Sequence, residues 1–522
     1  MLKRLTILLL LASCSQYLFS QSAGTRTLYT TIKYKDSYET KADSMTRAFI
    51  YTFWNNSKRA FNIKYQSYAD NAYWQQAPAI NVVIYNYERH KDIDPDLAKT
   101  YLNYIRLWYK NKGNNYSGAA KRTSSNYFDI SYDYTMFQNR YTDDMCWVTL
   151  ALLHYGEAIE NDSCSTIAKL VFDNYIISRA NEDEKTGGLW LPWNTDEGSE
   201  PNACTQSPAT LIAALLYQKF GEAKYLEYAK KLYKYAATNI VKSEGRVGEP
   251  PLTYTQGTFA EACRILYHIS DESTNTKNKY KNFAYTYLNC AFTSNRCINA
   301  AGYLRDEGHD GNQSIFKAVL IPYAVNYVLD ETMPQTTSQP YRKDILELIL
   351  KNTSIMWKNL NISRFPRVFC NYDWSSAYTG TNADAAMGAM CSGSSLMENT
   401  ARMCVAIIDR YELGTLKTKC SRFVVEPGLE EEAEMIAFNA ALATATEIMN
   451  NPGDYTHAQF RQAIENLETT YQAAANFTTG IVNIEYSTSD IEHYYSLDGR
   501  RINGKPAIRG IYIKGGRKIF LP

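Results

Sequence analysis

Two consecutive carboxylates, Asp143 and Asp144, stand directly ahead of the apolar run Met145 to Leu153. Thr142 has the side chain of an N-cap, which would place both aspartates in a first helical turn, where the dipole favours negative charge. That is the structural reading of the pair. The chemical reading is that neighbouring carboxyl groups at a helix start lean into one pocket. Retaining glycosidases need two carboxyl groups about 5–5.5 Å apart, and adjacent side chains reach that separation with suitable rotamers. Repulsion would keep one proton on such a pair at neutral pH, giving one acid and one anion.

Other side chains can do either of two jobs. Trp190 and Trp193 border the glycine-rich stretch 187–194, where a ring can stack on a sugar or anchor the loop. Asn202 and Gln206 precede Pro208, which reads as a first-turn proline, so helix capping competes with substrate hydrogen bonding. Tyr254 and Gln256 carry groups that read hydroxyls. Asp310, in Gly308-His309-Asp310-Gly311, either caps the following helix or binds a sugar. Lys317 falls within an apolar helical pattern, where a buried structural ion pair competes with substrate contact. The 43 Tyr and 8 Trp offer flat apolar faces with polar edges, which suit sugar rings and helix interfaces alike. The six His are scattered, and His154 and His268 follow core periodicity, which disfavours an epimerase needing paired histidines. No C-x-x-C pair or Cys/His zinc spacing occurs. No metal or organic cofactor is expected.

These residues need a scaffold. From about residue 37 to 411, apolar residues recur at i, i+3, i+4 and i+7 in about twelve segments, starting near 37, 74, 95, 140, 163, 206, 222, 257, 275, 314, 341 and 395. Strand-like alternation is scarce there, and no fixed repeat period marks a superhelical array. Six helical hairpins closed into an all-α (α/α)6 barrel satisfy this pattern. The Gly-, Trp-, Asn- and Asp-rich stretches lie between alternate helices, where function-bearing loops belong. The 522 residues are 45% hydrophobic and 21% charged, which excludes a mainly disordered chain. The 55 Lys and Arg against 54 Asp and Glu leave no basic excess for a nucleic-acid partner.

The ends differ from the middle. Residues 1–23 have the layout of a secretory signal, with Lys3 and Arg4 before an apolar run. Its two exits are a lipobox ending at Cys14, which would supply a lipid anchor, and signal-peptidase cleavage near Ser20-Gln21. Both mean export, to the cell surface or the medium. The ten cysteines beyond the leader allow one or two disulfides in an oxidising compartment, Cys290 and Cys297 being closest in sequence. The barrel is expected over 24–426, a small helix pair over 427–478 with Asn451-Pro452-Gly453 as its breaker, and a short β-rich tail over 479–522. That tail, with Tyr494-Tyr-Ser-Leu-Asp-Gly-Arg500 and then Gly510-Ile-Tyr-Ile513, resembles the sorting tails of type IX secretion.

The blocks in order resemble glycoside hydrolase family 76. They are the Asp-Asp helix, Gly187-Gly-Leu-Trp190, Asn202-Ala-Cys-Thr-Gln-Ser-Pro208, Leu252-Thr-Tyr-Thr-Gln-Gly-Thr-Phe259, and His309-Asp-Gly with Phe316-Lys317. The resemblance runs from about 37 to 411. It implies an (α/α)6 barrel and endo-α-1,6-mannanase or transglycosidase chemistry, with Asp143 as nucleophile and Asp144 as acid/base. Many members place Asp-Gly in the loop before Tyr-x-Gln-Gly, where this chain has Gly248-Glu249-Pro250-Pro251. The expectation is an exported, monomeric, retaining enzyme acting on α-mannan or manno-oligosaccharides. The alternatives are a transglycosidase with the same intermediate and a non-catalytic surface mannan-binding protein.

Overall fold

Helix α1 covers residues 24–32. Twelve helices then follow in pairs: α2 (Tyr38–Phe53) and α3 (Gln76–His90), α4 (Pro95–Asn111) and α5 (Thr142–Ala158), α6 (Asp162–Val171) and α7 (Ala203–Phe220), α8 (Ala223–Tyr235) and α9 (Thr253–Ile269), α10 (Thr274–Thr293) and α11 (Phe316–Leu329), α12 (Tyr341–Lys358) and α13 (Met387–Cys420). This computed structural model describes residues 24–32, 37–69, 73–111, 137–424, 428–479, 494–496, 501–502, 506, 510–514 and 517–521. The expected leader 1–23 with Cys14, and the first strand expected in the tail, lie outside those residues.

The second helix of each pair is inner. Helices α5, α7, α9 and α11 bury almost every residue of their first three turns, as helices enclosed by other helices do. The inner helices pack in sequence order, α3 on α5, α5 on α7, α7 on α9 and α9 on α11. Ser392 and Ser395 of α13 then donate to the carbonyls of Ser314 and Ala318. The ring closes where Asn86 of α3 donates to Glu398 of α13 at 2.7 Å. This is the (α/α)6 barrel that the twelve-segment periodicity predicts. The largest offset in a helix start is α13, expected near 395 and beginning at Met387. Close inner packing also explains one motif glycine: a Cβ on Gly257 would meet the Leu320 Cα at 2.7 Å.

Because outer helices return the chain, all six inner helices run the same way and their N-termini gather at one end. The outer-to-inner connections build that end. Three carry antiparallel hairpins: β1 (Trp54–Asn55) with β2 (Ala60–Phe61), β3 (Asn181–Asp183) with β4 (Gly188–Trp190), and β5 (Asn361–Arg364) with β6 (Arg367–Phe369). Strands of two to four residues are too short to show alternation in sequence.

The chain divides into two compact units, 1–412 with 451–460, and 413–450 with 461–522. The expected boundary at 426/427 falls in 425–427, outside the described residues. The second unit holds most of α14 (Ala433–Asn450) and α15 (His457–Thr479), the expected helix pair, with Phe423, Phe438 and Tyr471 clustered together. It also holds a four-stranded sheet from β7 (Tyr494–Tyr495), β8 (Arg501–Ile502), β9 (Gly510–Lys514) and β10 (Arg517–Leu521), in the order β10-β9-β7-β8. No disulfide joins any two of the ten described cysteines, nine of which are buried.

Candidate active site

Asp143 and Asp144 occupy the first turn of α5, at the barrel end where the inner N-termini meet. The N-cap is Tyr141, in extended conformation and without a side-chain cap. The expected Thr142 cap is therefore displaced by one residue. Thr142 is already helical, and its hydroxyl accepts from Arg179 Nη1 at 2.9 Å. Arg179 also donates to the carbonyls of Asn139 (2.9 Å) and Arg140 (3.1 Å), fixing the approach to the helix.

The loop after β4 closes over this turn. Tyr141 forms a β-bridge with Asn194, and the Thr142 N–H donates to the Trp193 carbonyl at 2.8 Å. The Trp193 indole Nε1–H then donates to Asp143 Oδ2 at 3.1 Å, while Asp143 Oδ1 accepts from the Asp144 N–H at 2.9 Å. Both carboxylates are half-buried. Burial pushes the Asp143 carboxyl up to about 6, against the pull of the indole and the Asp144 N–H. Among the described residues no cation forms an ion pair with Asp143.

Four aromatic rings cluster near the pair, with Tyr254 close enough for its hydroxyl to feel the Asp143 charge. Tyr254 of α9 stacks on Phe316 of α11 with centroids 3.9 Å apart and planes within 5°. Trp147 of α5 and Trp74 lie 5.3 and 6.2 Å from the Tyr254 ring. The Tyr254 hydroxyl is hydrogen-bonded to the Cys204 thiol. Burial pushes both the phenol and the thiol up, and the Asp143 charge adds to the shift. The Tyr254 hydroxyl thus shares one of its hydrogen bonds with Cys204, and its ring joins the aromatic cluster. Trp74, Trp147 and Cys204 were not singled out from the sequence. Trp147 had a signal, because it is one helical turn past Asp143 and so shares its face.

Gln206 and Gln256 are corrected by the structure. Both are fully buried, and their amides are consumed by backbone. The Leu191 N–H donates to Gln206 Oε1 (3.2 Å), and Gln206 Nε2 donates to the carbonyls of Leu189 (2.7 Å) and Leu232 (3.4 Å). Gln256 repeats the pattern one hairpin later. It accepts from the Val247 N–H and donates to the carbonyls of Gly245 (2.9 Å) and Tyr287 (3.0 Å). Gln76 on α3 clamps Phe61 from both sides, at 2.8 and 2.9 Å. Three inner helices thus use a first-turn glutamine to latch the preceding loop to the barrel. Fully buried and engaged with backbone, these amides lie out of reach of a substrate.

The remaining candidates divide. Asn202 is the N-cap of α7, accepting from the Thr205 N–H at 2.9 Å, and Pro208 lies inside the helix rather than at its first position. Asp310 is exposed, and its Oδ1 accepts from the N–H groups of Asn312 (2.8 Å) and Gln313 (2.6 Å). Asn312 in turn accepts from Trp74 Nε1 at 2.7 Å, so Asp310 secures the aromatic cluster through one intermediary. Lys317 is buried and, among the described residues, lacks the expected ion pair. It donates to the carbonyls of Arg305 and Tyr372 and lies 4.3 Å from the Trp374 ring centroid. Burial pulls its ammonium below the ordinary range. Trp190 is half-buried on β4, opposite Asn181. Glu249, at the departure from the common Asp-Gly, is paired with Arg246 and Arg296.

The profile described as glycosyl hydrolase family 76 matches residues 37–406. Among solved structures, the chain is similar to the GH76A α-1,6-mannanase of Salegentibacter sp. HEL1_6, at 21% identity over 70% of this chain and 99% of that one, with a TM-score of 0.56. An inactive variant of that enzyme, with two consecutive aspartates changed to alanine and α-1,6-mannotetrose bound, matches at 20% identity over 70% and 100%, with a TM-score of 0.57. A family 76 mannosidase from Bacteroides thetaiotaomicron VPI-5482 matches at 15% identity over 72% and 99%, with a TM-score of 0.51. At these identities the likeness establishes a shared fold. Comparison with curated proteins finds no match.

Proposed function

The chain belongs to glycosyl hydrolase family 76, and on that premise we propose that it is a retaining endo-α-1,6-mannanase using Asp143 and Asp144. The observation that carries the reading is the adjacent pair at the start of α5, near an aromatic cluster, with Asp143 unpaired by any described cation. Ionised Asp143 attacks the anomeric carbon, and the glycosidic C–O bond breaks as protonated Asp144 gives its proton to the leaving oxygen. Asp144, now a carboxylate, takes a proton from water. That water displaces Asp143 from the sugar and restores both groups.

The mannan assignment is supported by the solved relatives of this fold that are α-1,6-mannanases. Export rests on the leader pattern in residues 1–23, and display on the tail's resemblance to type IX sorting segments. A digest of debranched α-1,6-mannan, with product sizing and anomer-resolved NMR, tests the proposal. Short oligosaccharides released with retained anomeric configuration are expected. Products longer than the starting chains would make the protein a transglycosidase. Binding without any cleavage would make it a mannan-binding protein.

A further inference from the structure

We propose that Trp193 is a positioning residue for the displacement at Asp143: its indole N–H holds Oδ2 and keeps the carboxyl in its acceptor-only form, ready for attack. The inference rests on the nucleophile reading of Asp143.

The hydrogen-bond inventory leads there. Asp143 Oδ2 faces the Trp193 indole N–H at 3.1 Å, and Oδ1 faces the Asp144 N–H at 2.9 Å. An indole nitrogen and a backbone N–H only donate. A proton on the oxygen toward either of them would set two donors against each other, so this arrangement favours the carboxylate. It also fixes the rotation of the carboxyl plane, and thus which lone pairs remain for the sugar. Burial acts in the opposite direction and raises the carboxyl to about 6. The two donors keep that shift from going further.

The donor is itself held in place. The Trp193 carbonyl accepts from the Thr142 N–H, and its N–H donates to the Glu200 carbonyl at 3.2 Å. Arg140 bonds both carboxylate oxygens of Asp196 at 2.8 and 2.6 Å, and Gln206 latches Leu191. A fixed dipole aimed at the reacting group is what electrostatic preorganisation requires. The ring is 43% exposed, so it is not committed to the core.

The titratable groups around Asp143 come from three helices: Asp144 and Cys146 on α5, Cys204 on α7 and Tyr254 on α9. Burial pushes the two thiols and the phenol up, so they stay protonated near neutral pH. Of these groups, Asp143 is the one whose ionisation burial brings up to about 6.

Trp193→Phe keeps a ring and deletes the donor. Losing a hydrogen bond to a charged group should displace the acid limb of kcat/KM upward by roughly one pH unit or more. The loss should be about tenfold below the limb and smaller well above it, in a variant that stays folded across the range. An acid limb left in place in a folded variant overturns the proposal. A second measurement needs no folded Trp193 variant. In the 15N-labelled full chain, the indole N–H resonance of Trp193 should titrate with the acid limb and become flat in Asp143→Asn. A resonance flat across the limb in the wild-type protein also overturns it. A wild-type protein that cleaves no α-1,6-mannoside defeats the mannanase reading instead, while the resonance still tests the clamp.

Discussion

The two ends of the barrel bury carboxylates under opposite conditions. At the end formed by the inner C-termini, four described carboxylates each have a basic partner. Asp330 accepts from Arg264 (2.9 Å) and is hydrogen-bonded to His268 (2.7 Å), Glu88 is paired with His154 (3.1 Å), and Glu398 and Asp43 share Arg89. Burial alone would raise Asp330, Glu88 and Asp43. Their cationic partners outweigh it and hold all three below the ordinary carboxylate range. At the other end Asp143 meets the same burial with only an indole and a backbone N–H, and burial wins. The acids named at the first end are thus compensated, and Asp143, proposed as the nucleophile, is not; burial also raises Glu307, which accepts from the Thr253 N–H. A carboxyl whose ionisation lies near working pH can change protonation state there, whereas one held far below it stays ionised.

The largest expected effect breaks the comparison at the reactive end. Asp143→Asn should lower kcat on mannan by roughly 10³-fold or more, as loss of a nucleophile does elsewhere. Asp144→Asn should keep more of its rate on substrates with good leaving groups, which need no proton in the first step. Full mannan hydrolysis by either purified variant would remove the pair from the mechanism.

The paired end should respond in stability. Asp330→Asn strips Arg264 and His268 of a shared anion, and breaking a buried pair this way costs about 3–5 kcal/mol. Because Asp330 is held low in the folded protein, its contribution exists above the unfolded value near 4 and fades as pH falls further. Denaturant melts should therefore separate variant from wild type at neutral pH and converge on acidification. The kcat of the folded variant should be unchanged; a loss of kcat would mean that the two ends are coupled.

A third effect carries the opposite sign. Asp143 is raised in the folded protein, so its ionisation costs folding free energy as pH climbs from about 4 to above about 6. Asp143→Asn escapes that cost. Its melting temperature should exceed wild type at about pH 7.5, and the gap should narrow through about pH 4.5 and close near about pH 3. A variant less stable than wild type at the higher pH would show Asp143 to be compensated after all.

The smallest effect sharpens the picture of the catalytic rim. If the Trp190 ring supports a bound sugar, Trp190→Ala should lower kcat/KM on long oligosaccharides roughly 2–13-fold, from about 0.5–1.5 kcal/mol of aromatic contact. Equal losses on short and long substrates with a lower melting temperature would instead mark the ring as an anchor of the β3–β4 hairpin.

The twelve helices of the barrel were legible in the sequence because each must bury one stripe or all of its surface, and that demand writes a 3.6-residue period into the chain. The Asp143-Asp144 pair was legible because two carboxylates at a helix start are chemically conspicuous. What the polar residues around them do was not. An amide bonds sugar hydroxyls and backbone groups equally well, so the types of Gln206 and Gln256 leave the choice open. Only tertiary placement commits them to Leu189 and Leu191, and to Gly245 and Val247. The same holds for Trp193, fifty positions from Asp143. Its indole finds Oδ2 because the β-bridge at Tyr141 and Asn194 brings two loops together. Local periodicity reports what a segment must hide from water. Hydrogen-bond partners distant in the chain are chosen by the packing of the whole barrel, and no local pattern encodes them.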